Sequence, residues 1–243
     1  MYNLQDFGIR FYNSAVIIRV LGTRGEIEPS LPYHAKHSGV LVDDKILFDL
    51  GEKEFLEYLP QYIFITHLHP DHAFFVDETF ESDILLYAPE KYENLNVSIL
   101  EHKIELDDFS ITPVPTHHSK LVKSTAYLLE KDGKKILYTG DLIWINKEYH
   151  PLIGECDMVI TDGSFIRKGG RITRDKSSGQ IYGHGGIPDL VQLLSSFTRT
   201  ILFVHFGSWF YENVRESRQK LKQLAAKEDI NIVVGYDGME LEI

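Results

Sequence analysis

Residues 62–72 read Tyr62-Ile63-Phe64-Ile65-Thr66-His67-Leu68-His69-Pro70-Asp71-His72, an apolar run that stops at three imidazoles and a carboxylate within six residues. A short apolar run bounded by turn residues marks a buried strand, and packing does not account for so many ionisable groups directly after it. His67 and His69 alternate in an extended turn and can point to one side. Pro70 then forces a bend that can send Asp71 and His72 toward a second point. That pattern suits two metal ions; a polar surface loop is the plain alternative.

Outward from this loop, short apolar runs separated by turn residues predict strands over 15–21, 39–42, 45–49, 84–87, 109–113, 125–129, 135–139 and 158–161. Val42-Asp43-Asp44-Lys45 and Lys131-Asp132-Gly133-Lys134 read as hairpin turns. Helical periodicity comes late, over 188–197 and 212–227, with strands expected over 201–205 and 230–234. A β-rich first part followed by helix, strand, helix, strand suits stacked sheets covered by helices. No linker, low-complexity tract or repeat marks a boundary, so residues 1–243 read as one domain.

Composition narrows the function. The 36 acidic residues against 25 basic ones give a formal charge of -11, which repels a long polyanion and makes a general nucleic-acid binder a poor expectation. The single cysteine, Cys156, cannot form an internal disulfide or a thiolate cage, so metal ligands must be imidazole and carboxylate. Cys156 itself reads as a buried thiol. No apolar stretch approaches the roughly 20 residues of a membrane span, and Met1 to Asn13 lacks a signal-peptide core. A cytoplasmic protein without a membrane partner is expected.

The string His67-x-His69-x-Asp71-His72 after a strand resembles the signature of the metallo-β-lactamase fold superfamily. Further motifs follow in that family's order: Asp49 closing Ile46-Leu47-Phe48-Asp49, His118 in Thr116-His117-His118-Ser119, Asp141 in Thr139-Gly140-Asp141-Leu142, and His205 in Phe203-Val204-His205-Phe206. The resemblance implies an α/β (α+β) chain folded as a four-layer αββα sandwich, with Asp49 propping the histidine loop. It implies His67, His69 and His118 on one divalent ion, Asp71, His72 and His205 on another, and Asp141 on both. The ions would be Zn²⁺ or Mn²⁺, to which imidazole and carboxylate ligands are suited. His117 is the rival for the third position, and His118 is preferred for the His-Ser-Lys-Leu string that it opens. The full histidine pattern argues against the di-iron flavoprotein branch, in which the second histidine is usually glutamate.

The region after Asp141 is similar to ribonuclease Z and the small phosphodiesterases related to it. Asp162, in Thr161-Asp162-Gly163-Ser164, and His184 stand where that branch pairs an acidic residue with a proton-donating histidine. The branch usually has Glu at the first of these places, and the shorter Asp puts the pairing distance in question. Leu21-Gly22-Thr23-Arg24-Gly25 looks like the branch's N-terminal glycine loop, with Arg24 in place of one glycine.

The expected reaction is hydrolysis of a small-molecule phosphodiester or nucleotide by a hydroxide on the metals, with Asp71 orienting the water, His184 protonating the leaving oxygen and Asp162 holding His184. His118 and Asp141 lie only 23 positions apart, leaving no room for the tRNA-gripping arm of ribonuclease Z. The alternatives are a carboxylic ester, thioester or lactone hydrolase, an RNA-processing nuclease without that arm, or a non-catalytic metal binder. Arg167, Lys168, Arg171, Arg174 and Lys176 form a basic loop that either closes over phosphate or is simply solvated. His34 and His37 fall in a loop that relatives place near the pocket, while His102 and His150 read as surface residues. Trp209-Phe210-Tyr211 fits either core or the surface of a possible homodimer.

Overall fold

The computed structural model describes residues 15–92 and 95–243, so the reading of Met1 to Asn13 lies outside the described residues. The first strands are β1 (Ile17–Gly22), β2 (Gly39–Val42), β3 (Ile46–Phe48), β4 (Tyr62–Phe64), β5 (Leu85–Ala88) and β6 (Val97–Ile99). Then come β7 (Ile104–Leu106), β8 (Phe109–His117), β9 (Thr125–Lys131), β10 (Lys134–Tyr138), β11 (Trp144–Ile145) and β12 (Met158–Asp162). A separate hairpin, β13 (Arg171–Arg174) and β14 (Ile181–His184), precedes β15 (Thr200–Val204), β16 (Asn231–Val234) and β17 (Met239–Glu242). The α-helices are α1 (His150–Ile153), α2 (Ile187–Leu194), α3 (Ser208–Glu212) and α4 (Val214–Glu228).

One sheet runs β17-β1-β2-β3-β4-β5-β6 and the other β11-β8-β9-β10-β12-β15-β16, with β7 also on β8. Each is antiparallel on one side and parallel on the other, the parallel parts being β3 to β6 and β10-β12-β15-β16. The two sheets face one another across Val20, Val40, Phe48 and Phe64 from the first and Tyr127, Leu129, Ile160 and Leu202 from the second. Phe48 stacks on Tyr138 with centroids 5.2 Å apart, so truncating it to alanine would cost about 3–5 kcal/mol.

Helix α2 buries Leu190 and Leu194, and α4 buries Leu221, against Val159, Ile201 and Phe203 on the outer face of the second sheet. The first sheet's outer face is closed differently. Phe55, Phe74, Phe75 and Phe80 cover it from 3-10 turns at Lys53–Tyr58 and Phe74–Val76 and the loops beside them. The expected αββα layering therefore holds, with 3-10 turns and loops in place of α-helices on one outside.

The predicted strands form with shifts of a residue or two at their ends, apart from β8, which continues four residues past Pro113 to His117. Thr116 N–H bonds Ser124 O while Thr125 N–H turns away to Thr66 O, so the even residues of β8 face β9 and the odd ones face its outer edge. Pro113 and Pro115 thus lie between the stretch of β8 paired with β7, which reaches Ile111, and the stretch paired with β11, Thr116 and His117. A strand tolerates proline where no neighbour needs the missing N–H. The strands that the sequence reading did not place are the short β6, β7, β11 and β17 and the hairpin β13–β14, whose sequences Arg171-Ile172-Thr173-Arg174 and Ile181-Tyr182-Gly183-His184 carry no regular apolar alternation and read as loop. Phe210 is fully buried and Trp209 Nε1 donates to Gly163 O at 2.9 Å, which places the aromatic run in the core. Cys156 is buried, and burial pushes its thiol up to about 11.

His34 lies in this framework away from the histidine loop. Its Nδ1 meets Thr23 Oγ1 at 2.9 Å, and the Thr23 hydroxyl is itself committed as donor to Asp237 at 2.7 Å, so His34 Nδ1 carries the proton. His34 Nε2 then accepts from Arg218 at 3.4 Å. Burial drives the His34 pKa down to about 4, outweighing the Asp237 carboxylate and aided by Arg218. The unfolded chain binds a proton at about 6.5 that the folded chain refuses, so this contribution is complete above pH 6.5 and is lost as pH falls toward 4. Between those limits the wild type should lose up to roughly 3 kcal/mol more unfolding free energy than His34→Gln. Equal losses in denaturant titrations at pH 7 and 4.5 would contradict this.

Candidate metal centre

The chemistry gathers beyond the carboxyl ends of the parallel strands, where open α/β sheets characteristically bind ligands. Asp49 follows β3, the histidine loop follows β4, Asp141 lies just past β10, Asp162 ends β12 and His205 follows β15. Asp49 and His205 both sit in the left-handed backbone region, at φ 58° and 52°, a strain that only surrounding bonds sustain.

Asp49 is fully buried and accepts from four donors. Thr66 N–H reaches it at 2.7 Å, Thr66 Oγ1 at 3.0 Å, His72 Nδ1 at 2.7 Å and Tyr138 Oη at 2.8 Å. Because the Thr66 hydroxyl donates to Asp49, it accepts from His67 Nδ1 at 3.0 Å. The carboxylate thereby fixes two tautomers and turns Nε2 of both His67 and His72 inward. His118 donates from Nδ1 to Gly183 O at 2.8 Å, which frees its Nε2 in the same way. Ser164 Oγ donates to His205 O and lies 2.9 Å from His205 Nδ1, orienting the fourth ring. Such outer partners are the usual support of metal-binding imidazoles.

His67 Nε2 lies 3.0 Å from His69 Nδ1, which is 3.3 Å from His118 Nε2. Asp141 Oδ2 stands 3.4 Å from His118 Nε2 and 3.7 Å from His67 Nε2. Four donors bound tetrahedrally at about 2.0–2.1 Å from one ion stand about 3.3 Å apart, which this cluster matches. Asp71, His72 and His205 form a second group, with His205 Nε2 at 2.8 Å and His72 Nε2 at 3.8 Å from Asp71 Oδ2. Asp141 Oδ1 turns to this side, 3.2 Å from His72 Nε2 and 3.2 Å from His205 Nδ1. It is buried and lacks a hydrogen bond despite those neighbours, as expected of an oxygen whose lone pairs suit a cation. The residues fit divalent metal on both sides of Asp141.

The two groups differ electrostatically. Burial, reinforced by neighbouring imidazoles, lowers His67 well below its ordinary range, and burial brings His118 to about 4 against the pull of Asp141. Burial also opposes charge on His72, but Asp141, Asp49 and Asp71 overcome it and lift His72 to about 10. His205 is raised by the same kind of competition, burial being outweighed by Asp141, Asp162 and Asp71. Protons on His72 and His205 balance the same carboxylates that a divalent ion would, so metal binding on that side is coupled to proton release.

His184 Nδ1 lies 2.7 Å from Asp162 Oδ2, so aspartate spans the distance that sequence left in question. Burial opposes protonation of His184, and Asp162 and then Asp141 outweigh it, raising its pKa. The ring is not a free loop residue: it ends β14 and lines a cavity of about 520 Å³ with Asp71, His118, Asp141 and His205. His117 faces away, stacked on Trp144 and bonded from Nε2 to Asn146 Oδ1 at 2.9 Å. His37 pairs with Glu52 at 2.8 Å, and His34 lies in the core network described above. His150 is half-buried, edge-on to Phe197, rather than on the surface. Arg24 bonds Ala35 O and Ile27 O, each at 2.7 Å, while a Cβ on Gly25 would press on the His205 ring at 3.0 Å.

Sequence reasoning missed Thr66, Ser164 and the Gly183 carbonyl, the groups that orient the rings. It also left unresolved which basic residue faces the cavity. Only Arg171 of the five does, beside Thr173 and Tyr182. Replacing Asp49 by the isosteric asparagine puts a donor against one of four donors. Metal affinity should fall about 10–100-fold with the fold retained, as measured by competition with a chelator. An unchanged affinity would remove Asp49 from the support of the histidine loop.

Comparison with known proteins agrees with this geometry. A sequence profile of the beta-lactamase superfamily domain matches residues 58–206. Ribonuclease Z of Saccharolobus solfataricus is 27% identical over 111 residues, which is 46% of this chain and 35% of that protein, so the match spans about a third of the curated relative. The metallo-beta-lactamase fold protein YhfI from Bacillus subtilis superposes with a TM-score of 0.70 at 16% identity, covering 94% of this chain and 100% of the other. A diphosphatase from the PhnP family superposes with a TM-score of 0.68 at 19% identity, over 94% and 97% of the two chains. With the profile spanning the histidine loop through His205, on a fold shared almost end to end, this chain belongs to the beta-lactamase superfamily and has the metallo-β-lactamase fold.

Proposed function

We propose that this chain is a metal-dependent hydrolase, a dinuclear phosphodiesterase acting on a small phosphodiester or nucleotide. His67, His69 and His118 would hold one divalent ion and Asp71, His72 and His205 the other, with one oxygen of Asp141 on each. Zn²⁺ and Mn²⁺ are the metals that this donor set suits. Bound there, such ions neutralise charge on phosphoryl oxygens and bring the pKa of water toward neutrality.

The observation that carries the reading is the Asp162–His184 pair, 2.7 Å long, at the wall of the cavity that the donors line. Asp162 is a carboxylate at neutral pH, with burial outweighed by His184 beside it, and it accepts from His184 Nδ1. That bond fixes the ring and leaves Nε2 on its far edge to give a proton to a departing alkoxide. Asp71, across the cavity, orients the attacking water and takes its proton. The 520 Å³ cavity suits a small molecule, and the charge of -11 disfavours tracking along a nucleic-acid backbone. The names of the ribonuclease Z relative and the PhnP-family diphosphatase support phosphoryl chemistry.

Protein stripped of metal and reloaded separately with Zn²⁺ or Mn²⁺ should hydrolyse bis(p-nitrophenyl) phosphate only when loaded. No turnover in a sample holding two metals would move the assignment to carboxylic esters, thioesters or lactones. His184→Ala should lower hydrolysis of a dinucleoside phosphate by roughly 100-fold with metal content intact. It should lower nitrophenyl ester hydrolysis far less, because nitrophenolate leaves without a proton. Equal losses on the two substrates would deny His184 the role of acid.

A further inference from the structure

The hairpin β13–β14 pairs Arg171 with His184 and Thr173 with Tyr182. Directly opposed residues of an antiparallel pair share a face, and these four all line the metal cavity, whereas Ile172 and Arg174 alternate to the outer face. The cations around the hairpin are not equivalent. Arg174 is spent on Gly179 O at 3.1 Å, and Lys120, lying over the Tyr182 ring, is paired with Asp175 at 3.2 Å. Among the described residues, the Arg171 guanidinium meets no carboxylate within ion-pair range. It stands as an uncompensated cation one cross-strand step from His184.

The other end of the centre has the opposite charge. Contacts run in order from Asp71 to His205, from His205 to Asp162 and from Asp162 to His184. Beyond Asp71 lies a groove of about 930 Å³ lined by Glu26, Glu52, Glu57, Asp77 and Glu78, with Lys53 as its one lysine. Asp71 and Glu26 border both this groove and the metal cavity. A diester held at the centre therefore meets a cation at the end where His184 protonates the leaving oxygen, whereas the opposite, Asp71 end belongs to the attacking water.

We infer that Arg171 is a specificity residue that binds an anionic group on the leaving alcohol, so that the substrate is a phosphodiester with a charged leaving arm. The inference rests on the phosphodiesterase reading and on the assignment of His184 to the leaving side.

The test compares methyl 4-nitrophenyl phosphate with methyl 3-carboxy-4-nitrophenyl phosphate, which differ by one carboxylate on the leaving group. Metal-loaded wild type should favour the carboxylated ester by about tenfold in kcat/KM, mostly through KM, as expected of a charge-assisted hydrogen bond. Arg171→Ala should bring the ratio close to one and Arg171→Lys should retain part of it. Arg174→Ala removes a charge from the outer face of the same strand and should leave the ratio unchanged. By absorbance titration, the metal-free wild type should bind 3-carboxy-4-nitrophenol several-fold tighter than Arg171→Ala does. Turnover of both esters without preference, or equal loss of preference in the Arg171 and Arg174 variants, would overturn the inference alone. Failure of loaded wild type to hydrolyse either ester would overturn the phosphodiesterase reading beneath it.

Discussion

A carboxylate with no solvent exposure fixes the arrangement on which the centre depends. Asp49 leaves the end of β3 in one sheet and takes hydrogen bonds from Thr66 and His72 in the histidine loop and from Tyr138 at the end of β10 in the other. An ion buried without partners would cost several kcal/mol, so the charge is tolerable only while all these donors converge. The same convergence ties sheet to sheet and sets the direction of two imidazoles. Gly140 shows how little room is left: it has φ 57°, and a Cβ there would run into the Thr66 side chain that holds both Asp49 and His67. Packing and chemistry share the same atoms at this corner.

From that anchor the centre divides along Asp141, whose two oxygens face different groups of rings. On one side His67 and His118 are kept neutral by burial and have their outer nitrogens satisfied by a hydroxyl and a carbonyl. On the other, His72 and His205 sit among carboxylates that favour their charged forms. The first side is ready to donate lone pairs, whereas the second must first give up protons. On the proposed dinuclear reading, two cation positions with such unlike surroundings should fill unequally as pH and metal concentration change.

Much of this was legible in the chain. The ligand candidates could be read because metal binding restricts residue type, and because each stands where an apolar run ends. Asp162 and His184 could be paired on resemblance, though only the fold shows that an aspartate is long enough. What could not be read falls into two kinds. Backbone and hydroxyl partners, such as the Gly183 carbonyl and Ser164, leave no compositional trace. The hairpin carrying Arg171 and His184 mixes polar and apolar residues on both faces, so no periodicity announces it, and the inward direction of Arg171 depends on a register that sequence does not specify. The outer layer of the first sheet was also illegible as turns, since clustered phenylalanines without helical spacing cover a surface equally well from a loop.

The interrupted outer edge of β8 bears on how this protein meets other copies of itself. Between β7 and β11 the outward positions are Pro113 and Pro115, so that stretch presents carbonyls but no amide hydrogens. An incoming strand would find half of its hydrogen-bond partners missing, and the pyrrolidine rings would hinder its approach. Edges left open with both kinds of group are templates for aggregation, and proline is one of the devices that blunt them. The gap in the second sheet is thus guarded against templated β-assembly by the two residues that would seem least suited to a strand.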